Sequence, residues 1–165
     1  MKSIKTIILL LSLFVGLSAQ SITIDYQTGW NMVGLPAEVE DPYYLSLFPD
    51  AIENTLYSFD DAYALGSIMV EGEGYWLRFE GAGNTTITGN NINELTISLN
   101  EGWNLMSGIS TPLNITEIQD PNGIIISGTV YGFTSGAYTN TENIEPGKGY
   151  WLRANNSGSI ILLSE

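Results

Sequence analysis

The 165-residue chain has no cysteine and no histidine, and only five of its residues are Lys or Arg. Each shortage removes a class of chemistry. Without Cys there are no disulfides to staple a small exported domain, no thiol nucleophile, and no lipid-accepting residue beside an N-terminal leader. Without His there is no imidazole acid or base, and ordinary zinc sites lose their usual ligands. Five basic residues against 18 acidic ones supply no cationic cluster for phosphate contact, which argues against nucleic acid and anionic membrane surfaces as partners. Apolar runs are also short, and none reaches the roughly 20 residues that span a bilayer, so no membrane insertion is expected.

The longest apolar run opens the chain. Met1-Lys2-Ser3-Ile4-Lys5 precedes an apolar stretch over residues 7–15, broken only by Ser12, and then Gly16, Ser18 and Ala19. A basic start, a short apolar middle and a small-residue exit make a secretory signal peptide over residues 1–19, cleaved after Ala19. The expected address is extracellular, cell-surface or periplasmic. The remainder keeps Arg78, Lys148 and Arg153 against all 18 acidic residues, a net charge of −15. Acidity of this kind favours solubility through self-repulsion.

Self-similarity organises the chain after the leader. Gly29-Trp30-Asn31-Met32 returns as Gly102-Trp103-Asn104-Leu105, and Leu56-Tyr57-Ser58-Phe59 as Val130-Tyr131-Gly132-Phe133. Ala62-Tyr63 returns as Ala137-Tyr138, and Gly74-Tyr75-Trp76-Leu77-Arg78 as Gly149-Tyr150-Trp151-Leu152-Arg153. The offset drifts only from 73 to 75. The chain therefore divides into residues 20–92 and residues 93–165. A unit of that size buries only about 60% of its unfolded surface and is marginal alone, so the copies are expected to pack as one pseudo-twofold body.

Each copy reads as short strands between turns. Ser21-Ile22-Thr23-Ile24-Asp25-Tyr26 and Leu95-Thr96-Ile97-Ser98-Leu99 alternate polar and apolar, the period of a half-buried strand. One helical turn is expected per copy. The first is capped by Asp41 with Pro42 at its first position and runs through Leu45 to Phe48; the second has Asn114 and Glu117 at capping-box spacing. Further strands carry Tyr57 and Tyr131, then the Gly-Tyr-Trp-Leu-Arg motifs, then Thr85–Thr88 and Ser159–Leu163. The expected fold is all-β, a sandwich or barrel of short antiparallel strands. Two copies are too few for a propeller.

The recurring residues are the candidates for function. A Trp buries some 150–250 Å², so Trp30 and Trp103 are read as anchors of the two half-cores, with exposed sugar-stacking platforms as the alternative. Asn31 and Asn104 suit side-chain bonds to a neighbouring turn. Adjacent strand residues face opposite ways, so one of Tyr75 and Trp76, and one of Tyr150 and Trp151, is expected at the surface; these four are the candidate ligand-binding residues. Arg78 and Arg153 are read as structural, each forking onto a carboxylate or backbone carbonyl, with anion capture as the alternative.

Catalytic residues are not expected. A carboxylate pair suffices for glycoside hydrolysis, but no acidic residue recurs between the best-matched segments. Asp60-Asp61 and Asp120-Pro121-Asn122-Gly123 are turn sequences, and neither fits the twelve-residue calcium loop with its closing Glu. No cofactor or metal site is assigned; a loop-bound calcium ion is the one cofactor the acidity leaves open.

Taken together, Gly-Trp-Asn-apolar, Leu-Tyr-x-Phe and Gly-x-Gly-Tyr-Trp-Leu-Arg resemble a tandem module of large secreted and cell-surface proteins of Bacteroidetes-like bacteria. That module is often paired and often precedes a sorting domain read by the type IX secretion machinery. The resemblance covers nearly all of the chain after the leader. It implies an accessory, non-catalytic module. No sorting segment follows Ser164-Glu165, so the chain is expected either to be exported alone or to be a piece of a longer protein. Two functions remain: a structural or adhesion-type module working through protein contact, and a carbohydrate-binding module stacking sugars on its Tyr-Trp pairs. The partner is accordingly a protein or a glycan at the cell surface, with oligomeric state left open.

Overall fold

The computed structural model describes residues 19–164, so the signal-peptide expectation falls almost wholly outside the described residues. The chain is all-β. Its first half contains β1 (Ala19–Tyr26), β2 (Gly29–Gly34), β3 (Ala37–Glu38), β4 (Tyr57–Asp60), β5 (Ala62–Leu65), β6 (Gly74–Phe79) and β7 (Gly83–Asn91). The second contains β8 (Glu94–Leu99), β9 (Gly102–Ser107), β10 (Leu113–Asn114), β11 (Tyr131–Thr134), β12 (Ala137–Asn140), β13 (Asn143–Ile144), β14 (Gly149–Ala154) and β15 (Gly158–Leu163).

The sheets follow one order in both halves. In the first, β1 pairs with β7 and β3 is added beyond it, while a second sheet runs β2-β6-β4-β5. In the second, β8 pairs with β15 and the larger sheet runs β9-β14-β11-β12, with β10 and β13 forming a small extra ladder. All named pairs are antiparallel, and the first strand of each half pairs with its last. The alternation of β1 explains its place: Ile22, Ile24 and Tyr26 face the core. On its outer face Ser21 and Thr23 hydroxyls meet those of Thr88 and Thr86 at 2.8 and 3.1 Å, cross-strand pairs of the kind that fix register.

Each half has its own apolar core. Ile24, Phe48, Leu56, Tyr75, Leu77 and Phe79 belong to the first, and Leu99, Ile109, Ile144, Leu152, Ile160 and Leu162 to the second. Ile92, in the segment between β7 and β8, packs in the second core. A third cluster joins the halves: Met32, Trp76 and Leu105, with Tyr57, Phe59, Phe133 and Trp151 against them. Backbone bonds close the same seam, from Gly34 N–H to Gly147 O at 3.1 Å and from Ser107 N–H to Gly72 O at 2.9 Å. Gly34 is dictated by this approach, because a Cβ there would lie 2.1 Å from Ser107 Cβ.

The helical turns differ from expectation in detail. The first, α1 (Tyr44–Leu47), starts later than the Asp41-Pro42 signal implies. The Asp41 carboxylate instead accepts from Tyr43 N–H at 3.1 Å, and the Pro42 carbonyl is held by Met69 N–H, which fixes that segment before the helix can begin. The second is a 3-10 turn over Ile115–Glu117 with the capping box in place. Asn114 Oδ1 accepts from Thr116 N–H at 3.0 Å, and the Glu117 carboxylate from Asn114 N–H at 3.1 Å.

Candidate functional site

The Gly-Trp-Asn turns are built alike. Gly29 and Gly102 take φ of 88° and 101°, a region that only glycine enters freely. Asn31 Oδ1 accepts from Gln27 N–H at 2.9 Å, and its Nδ2 donates to the carbonyls of Gln27 and Gly29. Asn104 makes the matching bonds with Asn100 and Gly102. Each Asn thereby braces the turn and sets the preceding Trp at the start of its strand.

Trp30 and Trp103 are not core anchors. They are 42% and 43% exposed. Trp30 and Met32 share one face of β2, as alternation requires, and that face meets the other half. Met32 sits within the seam at 3% exposure, whereas Trp30 stands at its margin. Trp103 and Leu105 repeat the arrangement on β9.

The surface expectation for the Gly-Tyr-Trp motifs is corrected as well. Tyr75 and Trp76 are both buried, at 2% and 9% exposure. The sheet has no wet face here: Tyr75 enters its own core, and Trp76 faces the seam. Tyr150 is buried in the second core, and Trp151 is half-buried at the seam. The Tyr75 hydroxyl accepts from Val70 N–H at 3.0 Å and donates to Glu73 Oε2 at 2.7 Å, and burial with that carboxylate bond raises its pKa well above the ordinary tyrosine range. The Tyr150 hydroxyl accepts from Glu145 N–H at 2.8 Å, and burial pushes it up to about 12. Both hydroxyls are committed internally, so neither offers a ligand contact.

Arg78 and Arg153 are exposed, and the bonds at both positions run through backbone. Their N–H groups donate to the hydroxyls of Thr55 and Thr129, and their carbonyls accept from Ile52 and Ile126 N–H. Each lies opposite the exposed Trp in its ladder, Arg78 against Trp30 and Arg153 against Trp103. The Asp120 turn is also internally committed, its two carboxylate oxygens accepting from Ile124 and Ile125 N–H at 2.9 and 2.8 Å. Among the described residues no group of three or more potential ligands gathers to hold a metal ion, and no helix is long and apolar enough to cross a membrane.

Two aromatic clefts flank the seam. Cleft A, about 430 Å³, is lined by Trp30, Tyr57, Tyr63, Trp76 and Phe133. Cleft B, about 460 Å³, is lined by Phe59, Tyr63, Trp103, Tyr131, Tyr138 and Trp151. Each draws at least one aromatic from the opposite half. Phe133 lies edge-on to Trp76 and Phe59 edge-on to Trp151, both at 4.8 Å between centroids. The Trp rings of each cleft are nearly perpendicular, with Trp30 and Trp76 at 89° and Trp103 and Trp151 at 83°. Tyr63 on β5 and Tyr138 on β12 are over half exposed, and these two strands end their sheets.

The structure thus gathers Trp76 and Trp151 with Trp30 and Trp103, and leaves Tyr75 and Tyr150 elsewhere. Sequence reasoning missed Tyr57, Phe59, Tyr63 and their counterparts Tyr131, Phe133 and Tyr138 as site residues. The signal was present, since all six recur in register. Comparison with protein-family models, with curated proteins and with solved structures finds no match to this chain.

Proposed function

We propose that the protein is a secreted, non-catalytic accessory module acting through protein contact at the cell surface, built from a duplicated unit whose copies pack about a pseudo-twofold axis. The observation that carries this reading is the pair of aromatic clefts beside the open edges of β5 and β12. An unpaired edge offers backbone N–H and C=O groups to an incoming strand, and pockets beside it select alternate side chains. Walls at nearly a right angle form a slot that clasps a side chain. Neither cofactor nor metal enters this reading, and the buried tyrosine hydroxyls serve structure.

Carbohydrate binding is the second reading, and the exposure of Trp30 and Trp103 favours it, because a sugar platform must be wet. The two are separated by tryptophan quenching. Acrylamide accessibility of the indoles is measured across a glycan panel and a panel of extended peptides. Protection by peptides alone supports protein contact. Protection by a glycan alone overturns it and transfers the clefts to sugar recognition. Secretion has its own check: export from a bacterial host is expected to leave Gln20 as the first residue, and an unprocessed N-terminus would refute the leader.

A further inference from the structure

The two halves differ at the open edge of the larger sheet. In the first half this edge is β5, and residues 62–70, which form and follow it, contain no charged residue and no proline. Tyr63, Leu65, Ile68 and Val70 along this run are exposed, and so is Tyr43, which lies opposite Ile68 in a short bridge. At four of these places the second half is polar. Leu65 stands opposite Tyr57 as Asn140 does opposite Tyr131. Tyr43 and Ile68 oppose each other as Asn114 and Asn143 do. Val70 N–H donates to the Tyr75 hydroxyl as Glu145 N–H does to that of Tyr150. The second half also ties its amides down internally. Asn140 Nδ2 donates to the carbonyls of Gly128 and Val130, and Asn114 Nδ2 to Asn143 Oδ1. The same ladder positions thus accept either set of residues, so folding does not require the apolar one.

An uncharged apolar edge invites a further strand, and the geometry of β5 selects which one. Gly66 N–H donates to Leu56 O at 2.9 Å. Alternation along an antiparallel ladder then turns the backbone groups of Ala62 and Ala64 toward β4 and those of Tyr63 and Leu65 outward. Resting on the protein-contact reading, we propose that the occupant is β5 of a second copy of this chain, paired antiparallel across a twofold axis at Ala64. In that register Tyr63 of each copy stands opposite Leu65 of the other. The outward backbone groups satisfy one another, and each Tyr meets a Leu as a cross-strand pair. Asp60 and Asp61, in the turn before β5, are carried to opposite ends of the joint. Asp61 falls opposite Ser67 of the other copy, about 20 Å along the strand from the second Asp61, well beyond the screening length of about 8 Å at physiological ionic strength. A parallel pairing would lay these carboxylates side by side. The twofold uses the same edge on both copies and closes the assembly at two. Net negative charge opposes any approach of two copies, so it limits the strength of this dimer and not its place.

The test uses the whole exported chain. Sedimentation equilibrium is expected to give twice the monomer mass at high concentration and the monomer mass on dilution. The double variant Leu65→Asn, Ile68→Asn installs the residues that the second half carries at the same ladder positions, so the fold is retained, and an unchanged urea midpoint checks this. Dimer affinity should fall by at least about tenfold. A cysteine substitution reads the register, because the chain has no cysteine of its own. Directly opposed strand positions lie within reach of a disulfide, so mild oxidation of Ala64→Cys should link two copies. Thr139→Cys, at the matching position of β12, should not. A protein that stays monomeric at every concentration overturns the assignment. So does a double variant that dimerises as tightly as the parent, or linkage through Thr139→Cys equal to that through Ala64→Cys. Peptide protection of the indoles would in each of these cases still uphold protein contact, whereas a monomer whose indoles no peptide protects overturns both.

Discussion

The tight approach of Gly34 to Ser107 across the two halves gives a quantitative test of the seam. In Gly34→Ala the new Cβ would stand 2.1 Å from Ser107 Cβ, 2.8 Å from Ser107 Oγ and 3.2 Å from the Lys148 carbonyl. Carbon atoms rest at about 3.5–4.0 Å, so the strands must part by more than an ångström. They are not free to do so, because Gly34 N–H···O Gly147 and Ser107 N–H···O Gly72 pin both sides. Overpacking of this kind costs about 1–3 kcal/mol, and weakening one seam hydrogen bond adds about 1 kcal/mol. The lower chain entropy of unfolded Ala returns about 0.4–1 kcal/mol. The net expectation is about 2 kcal/mol, a fall in Tm of roughly 4–8 °C for a chain of this size. Ser107→Gly should erase the effect. By itself that change is close to neutral, since a strand Gly costs about 0.5–1 kcal/mol relative to Ala while the buried Ser107 hydroxyl that it removes has no hydrogen-bond partner. Urea unfolding of the four chains of this cycle, followed by tryptophan emission, should give a coupling of at least about 1 kcal/mol between positions 34 and 107. A neutral Gly34→Ala, or a cost that persists in the Ser107→Gly background, would refute this account of how the halves meet.

Trp76→Ala should cost about 3–5 kcal/mol, as large-to-small changes in packed cores do, whereas Trp30→Ala at the cleft margin should cost under about 1 kcal/mol; similar losses of Tm would contradict the distinction between seam and rim. Asn31→Ala and Asn104→Ala each remove three turn bonds, and a loss of about 1–2 kcal/mol is expected from each after allowing for partial exposure, measured by urea midpoint. Residues 20–92 expressed alone should show no cooperative unfolding transition, because Met32 and Trp76 lose their cover; a sharp transition would show the halves to be independent. In alkali, the Tyr150 hydroxyl is held neutral up to about 12 against an ordinary value of 10.0, and that of Tyr75 is also raised. Raised folded-state values mean that their stabilisation is full below pH 10 and disappears as pH climbs from 10 through about 12. A urea midpoint that stays flat over that window would refute the buried placement of these hydroxyls.

Much of this was legible in the residues. Alternation located β1 and β8, the Asn114–Glu117 spacing announced its capping box, and the Asn of Gly-Trp-Asn pointed to a braced turn. What failed was the inference from period to exposure. Tyr75 and Trp76 lie on opposite faces as expected, but the rule that one face is wet assumes a sheet covered once. Here the second half covers the other face, and a local pattern cannot report that. Trp30 and Trp103 failed for the complementary reason. Their size argued for burial, yet being on the covered face says nothing about distance from its edge. The ladder decides it: Trp30 pairs with exposed Arg78, one step outside the Met32–Trp76 pair.

The same geometry explains why the exposed aromatics gather along the rim of the seam. Two halves with the same sheet order that bury one face against each other place corresponding residues on both sides of the joint. Residues at the centre, such as Met32, Trp76 and Leu105, are constrained by packing. Residues at the rim are not, and there the recurring aromatics Trp30, Tyr63, Trp103 and Tyr138 keep much of their surface in water. Exposed aromatic area is normally withheld from solvent, and grouping it beside open strand edges carries a standing risk of self-association. The chain's 18 acidic residues against five basic ones oppose that risk, because copies of like net charge repel. Raising the ionic strength should therefore strengthen self-association of the free protein, read by light scattering over a salt series. Scattering that stays flat or falls as salt rises would break the link between the chain's charge and the exposed aromatics it surrounds.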